Sequence, residues 1–307
     1  MAALVFLPER ISAAAPGGIT IATCAARARA NNRGIGMSHE DFASTSISRR
    51  EVLQGAGSAV TFGILASAFG AALPRGVSAK QSAALVDCMT IIYPAGEGTH
   101  FDADYYRDHH LKLIMELYGK SIARFELRPA MPAAAGAPAV PYAAAVNIWI
   151  ADFAAMAANN EKHSKRLIED VPNFTNAMPT IQFDKIHGEA GARRSAPKLG
   201  DICLTILYPN QEGVRWDVDY YVKHHMPLIM KLYGRKAIKR FELRKGDAAQ
   251  AGGPPPYIGS INIYIEDHKA FDAAGKQHGP TLVADVPNFS SVMPTAFETK
   301  VYGIGSS

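Results

Sequence analysis

The chain repeats itself. Tyr105-Tyr106-Arg107-Asp108-His109-His110 returns as Tyr220-Tyr221-Val222-Lys223-His224-His225. Thr90-Ile91-Ile92-Tyr93-Pro94 matches Thr205-Ile206-Leu207-Tyr208-Pro209, and Asp170-Val171-Pro172-Asn173-Phe174 matches Asp285-Val286-Pro287-Asn288-Phe289, always at an offset of 115 residues. A slip of one residue between Gly119 and Arg124 is recovered before Tyr257 by a shorter Pro-rich loop. A repeat of this length is too long for a solenoid unit and is the size of a small domain. Residues 81–187 and 201–307 are therefore two homologous halves, 188–200 joins them, and the rest is a leader.

Each half has the same pattern of elements. Cys88–Tyr93 is a β-branched, apolar run stopped by Pro94, a strand. Asp102 is placed to cap a helix over 103–118 whose stripe is Tyr106, His110, Leu113, Ile114 and Leu117, ended by Gly119. Arg124–Arg128 alternates as a strand, and Pro129–Pro141 and Gly246–Pro256 read as matching loops. Ala143–Ala151 is a third strand, 153–168 a second helix capped by Asp152, and Thr180–Ile186 the last strand. Strand, helix, strand, strand, helix, strand gives an α+β, ferredoxin-like unit with both helices on one face of an antiparallel sheet. In the third strand Val146, Ile148 and Ile150 belong under the helices, as do Ile261, Ile263 and Ile265. Ala145, Asn147 and Trp149 face the other way, with Ser260, Asn262 and Tyr264 as counterparts. That second face is too apolar for solvent and too polar for a plain core, so the halves are expected to pack through it around a cavity.

The formal charge of +4 is unevenly spread: seven arginines against four acids before Lys80 put +3 on the leader and about +1 on the repeats. A nearly neutral body without a basic stripe gives no support for nucleic acid binding. The leader itself carries Ser48-Arg49-Arg50-Glu51-Val52-Leu53-Gln54 followed by an uncharged run over 55–72, which resembles a twin-arginine export signal in residues 37–80, with Val52 and Gln54 departing from the usual Phe and Lys. The expectation is export of the folded chain by the twin-arginine machinery to the periplasm or beyond, with cleavage after Ala68 or Ala72. Met37 stands at the normal distance before such an arginine pair, so residues 1–36 read as a gene-model extension. Cys88 and Cys203 occupy equivalent strand positions, where small buried thiols rather than a disulfide are expected.

The combination of Tyr-Tyr-x-x-x-His early in the first helix with Asp-Val-Pro-Asn-Phe before the last strand, present in both halves, resembles the EthD family of the dimeric α+β barrel superfamily. The resemblance implies that the two ferredoxin-like units form one intramolecular barrel, a pseudo-dimer within one chain that leaves further homo-oligomerisation open. It also implies a pocket for a small organic molecule and oxidoreductase-type activity. The family's recurrent histidine falls on His110 and His225, and its second tyrosine on Tyr106 and Tyr221. His225-Met226-Pro227 keeps the family's His-x-Pro, whereas Lys112 replaces the proline in the first half, so His225 is expected to be the more active.

On chemistry alone, a histidine on an apolar stripe is either a proton-transfer group or a core residue bonded to a neighbour. Asn147 and Asn262 must be hydrogen-bonded across the barrel or to a ligand, and Trp149 and Tyr264 line a pocket or fill the barrel. His163 and His278 are further ligand-contact candidates, although His278-Gly279 is equally explained as a helix end. No grouping has zinc-site spacing, and no phosphate loop, dinucleotide fingerprint or haem-attachment motif is present. The cofactor stays open, as do two rival functions: a non-catalytic small-molecule binder and a cofactor-free isomerase or cyclase.

The leader gives the first test. Replacing Arg49-Arg50 by a lysine pair is expected to leave uncleaved precursor in the cytoplasm on fractionation and immunoblotting, and normal periplasmic processing of that variant contradicts the export assignment.

Overall fold

The computed structural model describes residues 87–133, 139–191 and 196–306. The export-signal and gene-start readings lie outside the described residues. Nine strands form one antiparallel sheet in the order β8-β5-β7-β6-β4-β1-β3-β2-β9. The first repeat supplies β1 (Asp87–Pro94), β2 (Ile122–Pro129), β3 (Tyr142–Ile150) and β4 (Thr180–Gly191). The second supplies β5 (Ile202–Pro209), β6 (Ile238–Ala249), β7 (Tyr257–Ile265), β8 (Thr295–Lys300) and β9 (Gly303–Ser306). Each repeat is a βαββαβ unit with the expected helix-covered face, where Val146, Ile148 and Ile150, or Ile261, Ile263 and Ile265, join the apolar core.

Two seams turn the units into one barrel. At the first, β4 pairs with β6 from Gln182↔Ala249 to Gly191↔Arg240. At the second, β9 pairs with β2 from Gly303↔Leu127 to Ser306↔Arg124, and an Ala130↔Thr299 bridge continues the line. The first seam corrects the strand limits. β4 continues past Ile186 into the segment read as a linker, and β6 continues through Gly246 into the segment read as a loop. Those residues carry weak strand signals of their own; what makes them strands is that each supplies the other's backbone partners. The seams also need close approach. A Cβ on Gly188 would stand 3.2 Å from Val222 Cγ2, and one on the equivalent Gly303 would stand 3.1 Å from Leu111 Cδ1. Glycine thus lets the first helix of each repeat lie over the other repeat's strand.

The inner face is a buried polar network. Arg128 Nη1 donates to Glu126 Oε2 at 2.9 Å and Arg244 Nη1 to Glu242 Oε1 at 2.7 Å, with all four side chains sequestered from water. Bonds then cross between repeats: Tyr264 Oη donates to Glu126 Oε2 at 2.6 Å, Trp149 Nε1 to Glu242 Oε2 at 3.3 Å, and Asn262 Nδ2 to Asn147 Oδ1 at 3.1 Å. Asn147 and Asn262 are equivalent residues, so they meet on the pseudo-two-fold axis. Asp184, where the second repeat has Thr299, breaks the symmetry. Burial pushes its carboxyl up to about 6 against the pull of Arg244, whose Nε is 3.9 Å away. Cys88 and Cys203 are buried free thiols, as expected.

Removing one member of such a network strands the others. Arg244→Leu takes the guanidinium from Asp184 and the closest one from Glu242, which keeps only Arg240 at 3.2 Å and Arg124 at 3.9 Å, and is expected to cost about 3–5 kcal/mol in urea unfolding. Adding Glu242→Leu should restore part of that loss, because the double variant removes the buried carboxylate that has lost its closest guanidinium; a single-variant cost under about 1 kcal/mol contradicts the role given to the network.

Candidate functional site

The first helix of each repeat is wound unusually. In α1, the turn Ala103–Tyr105 leads into a π-helical segment Tyr106–His110 and then Leu111–Tyr118. In α3, Val218–Tyr220 leads into the π-helical Tyr221–His225 and then Met226–Ala237. Asp102 and Asp217 cap them, each accepting a backbone N–H at 2.9 Å. The π turn adds a residue to the ring closed by the Leu111 N–H and the Tyr106 carbonyl. This shifts the stripe: the buried positions after His110 are Leu111, Ile114 and Tyr118, while the expected Leu113 and Leu117 are only half-buried.

The second helices, α2 (Phe153–Asp170) and α4 (His268–Asp285), end on the residue that meets the histidine. His110 Nδ1 lies 2.8 Å from Asp170 Oδ2, and His225 Nδ1 lies 2.7 Å from Asp285 Oδ2. The other carboxylate oxygen is held twice. Tyr105 Oη and Asn173 Nδ2 donate to Asp170 Oδ1 at 2.8 and 2.9 Å, and Tyr220 Oη and Asn288 Nδ2 donate to Asp285 Oδ1 at 2.9 and 2.7 Å. The Asp-Val-Pro-Asn-Phe segment makes this local. Its aspartate ends the helix, its Val-Pro-Asn forms a 3-10 turn that returns the asparagine to the carboxylate, and its phenylalanine packs on the imidazole with ring centroids 4.6 Å apart.

Burial lowers the pKa of both imidazoles below 6.5, although the aspartate partner pulls the other way. Burial also pushes the Asp170 and Asp285 carboxyls up, but hydrogen bonds from the histidine, asparagine and tyrosine outweigh it and hold both below 3.8. The resulting pair at neutral pH is a carboxylate that accepts Nδ1–H from a neutral imidazole, leaving the Nε2 lone pair as the basic atom.

Each imidazole lines a cavity between its sheet and helices. The first, of about 70 Å³, has Tyr93, Tyr106, Tyr118, Phe153 and Phe183 in its wall with His110. The second, of about 50 Å³, has Tyr208, Tyr221, Tyr233 and Phe271 with His225. Tyr106 and Tyr221 are buried, with rings 4.8 Å from their histidines.

The sequence candidates thus divide between two places. His110, His225, Tyr106 and Tyr221 stand at the cavities. Asn147, Asn262, Trp149 and Tyr264 lie on the opposite face of the sheet, bonded across the barrel as described above. His163 and His278 are half-buried on α2 and α4 and line neither cavity. His278-Gly279 does not end its helix, since α4 runs through Pro280 to Asp285, where the aspartate and the 3-10 turn finish it.

The motif difference between the halves leaves the backbone alone. Lys112 and Pro227 are both exposed, and φ/ψ is −64°/−42° at His110 and −67°/−46° at His225. The dihedral that proline fixes is one the helix adopts anyway. Asp170, Asp285, Tyr105 and Tyr220 are not singled out by sequence reading, though the signal is present in the unchanged recurrence of the five-residue segment and of the leading tyrosine. Among the described residues one further grouping, His268, Asp272 and Glu298, brings three donor atoms within 4.8 Å of one another. It joins an i,i+4 pair on α4 to a residue of β8, which sequence spacing does not reveal.

No family model and no curated protein matches the chain. Among solved structures it is similar to an EthD-like protein from Ralstonia eutropha JMP134, 28% identical, covering 34% of this chain and 93% of that one with a TM-score of 0.31. An anthrone oxidase-like protein is 9% identical over 72% of this chain and 93% of that one, with a TM-score of 0.43. A heme-binding protein from Thermus thermophilus is 10% identical over 71% and 91%, with a TM-score of 0.35. None of these likenesses shows a family for the chain.

Proposed function

We propose that this chain is an exported enzyme of oxidoreductase type, akin to the EthD family, that acts on a small, mainly apolar compound with His110 and His225 as proton-transfer groups. The oxidoreductase class and the export route come from the sequence resemblances. The proton-transfer role is supported by one arrangement: a buried imidazole fixed through Nδ1 by a carboxylate that is itself held by two donors, in the wall of an apolar cavity. A histidine kept only for packing needs a partner for Nδ1; it does not need that partner to be an oriented carboxylate, repeated in both halves. The arrangement fixes the tautomer and stabilises the imidazolium formed when Nε2 takes a proton.

Two measurements test this. In NMR titration His110 and His225 should protonate below pH 6.5, because burial outweighs the carboxylate. Asp170→Asn should move His110 lower still, since it removes the group that favours the charged ring; a wild-type value above 6.5 contradicts the neutral-base assignment. The same sign governs folding: between the native value and 6.5 the unfolded chain binds the extra proton, so this contribution to stability falls as the solution is acidified below 6.5. In a turnover assay, His110→Ala combined with His225→Ala should lower kcat by about 10²–10⁴-fold. A folded double variant with wild-type turnover refutes the proposal.

A further inference from the structure

The two halves share the same dyad, so what separates them is the rest of the cavity. In the first repeat Phe153 and Phe183 meet edge to face, with centroids 5.5 Å apart, and both line the cavity. Their counterparts His268 and Glu298 pair with each other at 3.0 Å and do not line the second cavity. The first cavity also takes Gln250 from the opposite repeat, anchored by its backbone N–H on the Ile181 carbonyl at 3.0 Å. The Tyr106 hydroxyl in that wall is fully buried and meets no strict hydrogen-bond geometry; its polar neighbour is the Tyr93 hydroxyl, which acts on it as a donor. A bond between these two hydroxyls uses only one of their two protons, and a ligand oxygen in the cavity would accept the one left on Tyr106.

We propose that the first-repeat cavity is the principal ligand site, and that its ligand is a neutral, largely apolar compound carrying one weakly acidic hydroxyl, a phenol or an enol, placed between Tyr106 and His110. This rests on the proton-transfer reading above. No Lys, Arg, Asp or Glu lines the cavity, so a carboxylate or ammonium ligand would lose its hydration without gaining a counter-ion. A hydroxyl meets Tyr106 and His110 together. Its O–H bond breaks, the proton passes to His110 Nε2, and the electron pair stays on the oxygen, which accepts the Tyr106 hydroxyl. The imidazolium so formed is balanced by the Asp170 carboxylate at Nδ1.

The test uses three probes of similar shape, 4-methylphenol, toluene and 4-methylbenzoate, titrated calorimetrically into the full chain and followed by NMR of the histidine rings. The expected order is 4-methylphenol about tenfold tighter than toluene, with 4-methylbenzoate weakest. Tyr106→Phe, which keeps the ring, should remove that tenfold preference and leave toluene unchanged. The 4-methylphenol titration should perturb the His110 signals and spare those of His225. Equal binding of toluene and 4-methylphenol, or preference for 4-methylbenzoate, overturns the ligand class. Perturbation centred on His225 overturns the assignment to the first repeat while leaving the dyad reading intact. Histidine pKa values above 6.5 in the unliganded protein overturn the dyad reading itself.

Discussion

The barrel depends on the pairing of buried charges inside it. Arg128 with Glu126 and Arg244 with Glu242 lie on the inner face of the sheet, and both ion pairs are extended by groups from the other repeat. Glu126 accepts the Tyr264 hydroxyl, Glu242 accepts the Trp149 indole beside Arg240 of its own repeat at 3.2 Å, and Arg128 reaches Asn262 at 3.3 Å. A half separated from its partner would present these groups to water. Joined, the halves must meet in one register, because a shift would leave a charge unpaired where desolvation is expensive. An apolar interface of the same area would be more permissive of sliding. Here the network and the β4–β6 ladder specify the same alignment.

That alignment then fixes what the outer faces can do. With the sheet clamped from inside, each repeat presents a rigid floor to its helices, and the cavities form between floor and helix where the π turn carries the histidine. The dyad is assembled from two helix parts, the π turn of the first and the last residue of the second. Its geometry differs between repeats by only 0.1 Å in the Nδ1 to Oδ2 distance. Duplication has preserved this unit while the wall around it diverged, from paired phenylalanines in one half to a histidine and glutamate pair in the other. The chemistry of the base is common to both; the surroundings in which it works are not.

Much of this was legible in the residues. The 115-residue offset gave two homologous units, and periodicity gave four strands and two helices in each. The alternation of Val146, Ile148 and Ile150 against Asn147 and Trp149 identified the helix-covered and barrel faces correctly. Asp102 and Asp152 were legible as caps because capping depends on neighbours three residues away. Where the reading depended on a regular 3.6-residue period it slipped: the π turn moved burial from Leu113 and Leu117 to Leu111 and Tyr118.

The sequence by itself determined the duplication, the class of each unit, and the presence of histidines on apolar helix faces, since these are local or periodic properties. Only the tertiary structure decided which partner each polar group has. Asp170 lies 60 residues from His110, and Asn147 lies 115 from Asn262; no local rule links them. The amides and the histidines, which look alike as polar interruptions of apolar patterns, went to opposite faces of one sheet. The extension of β4 and β6 was likewise decided in three dimensions, because an edge strand ends where its hydrogen-bonding partner ends, and that partner is supplied by the other repeat.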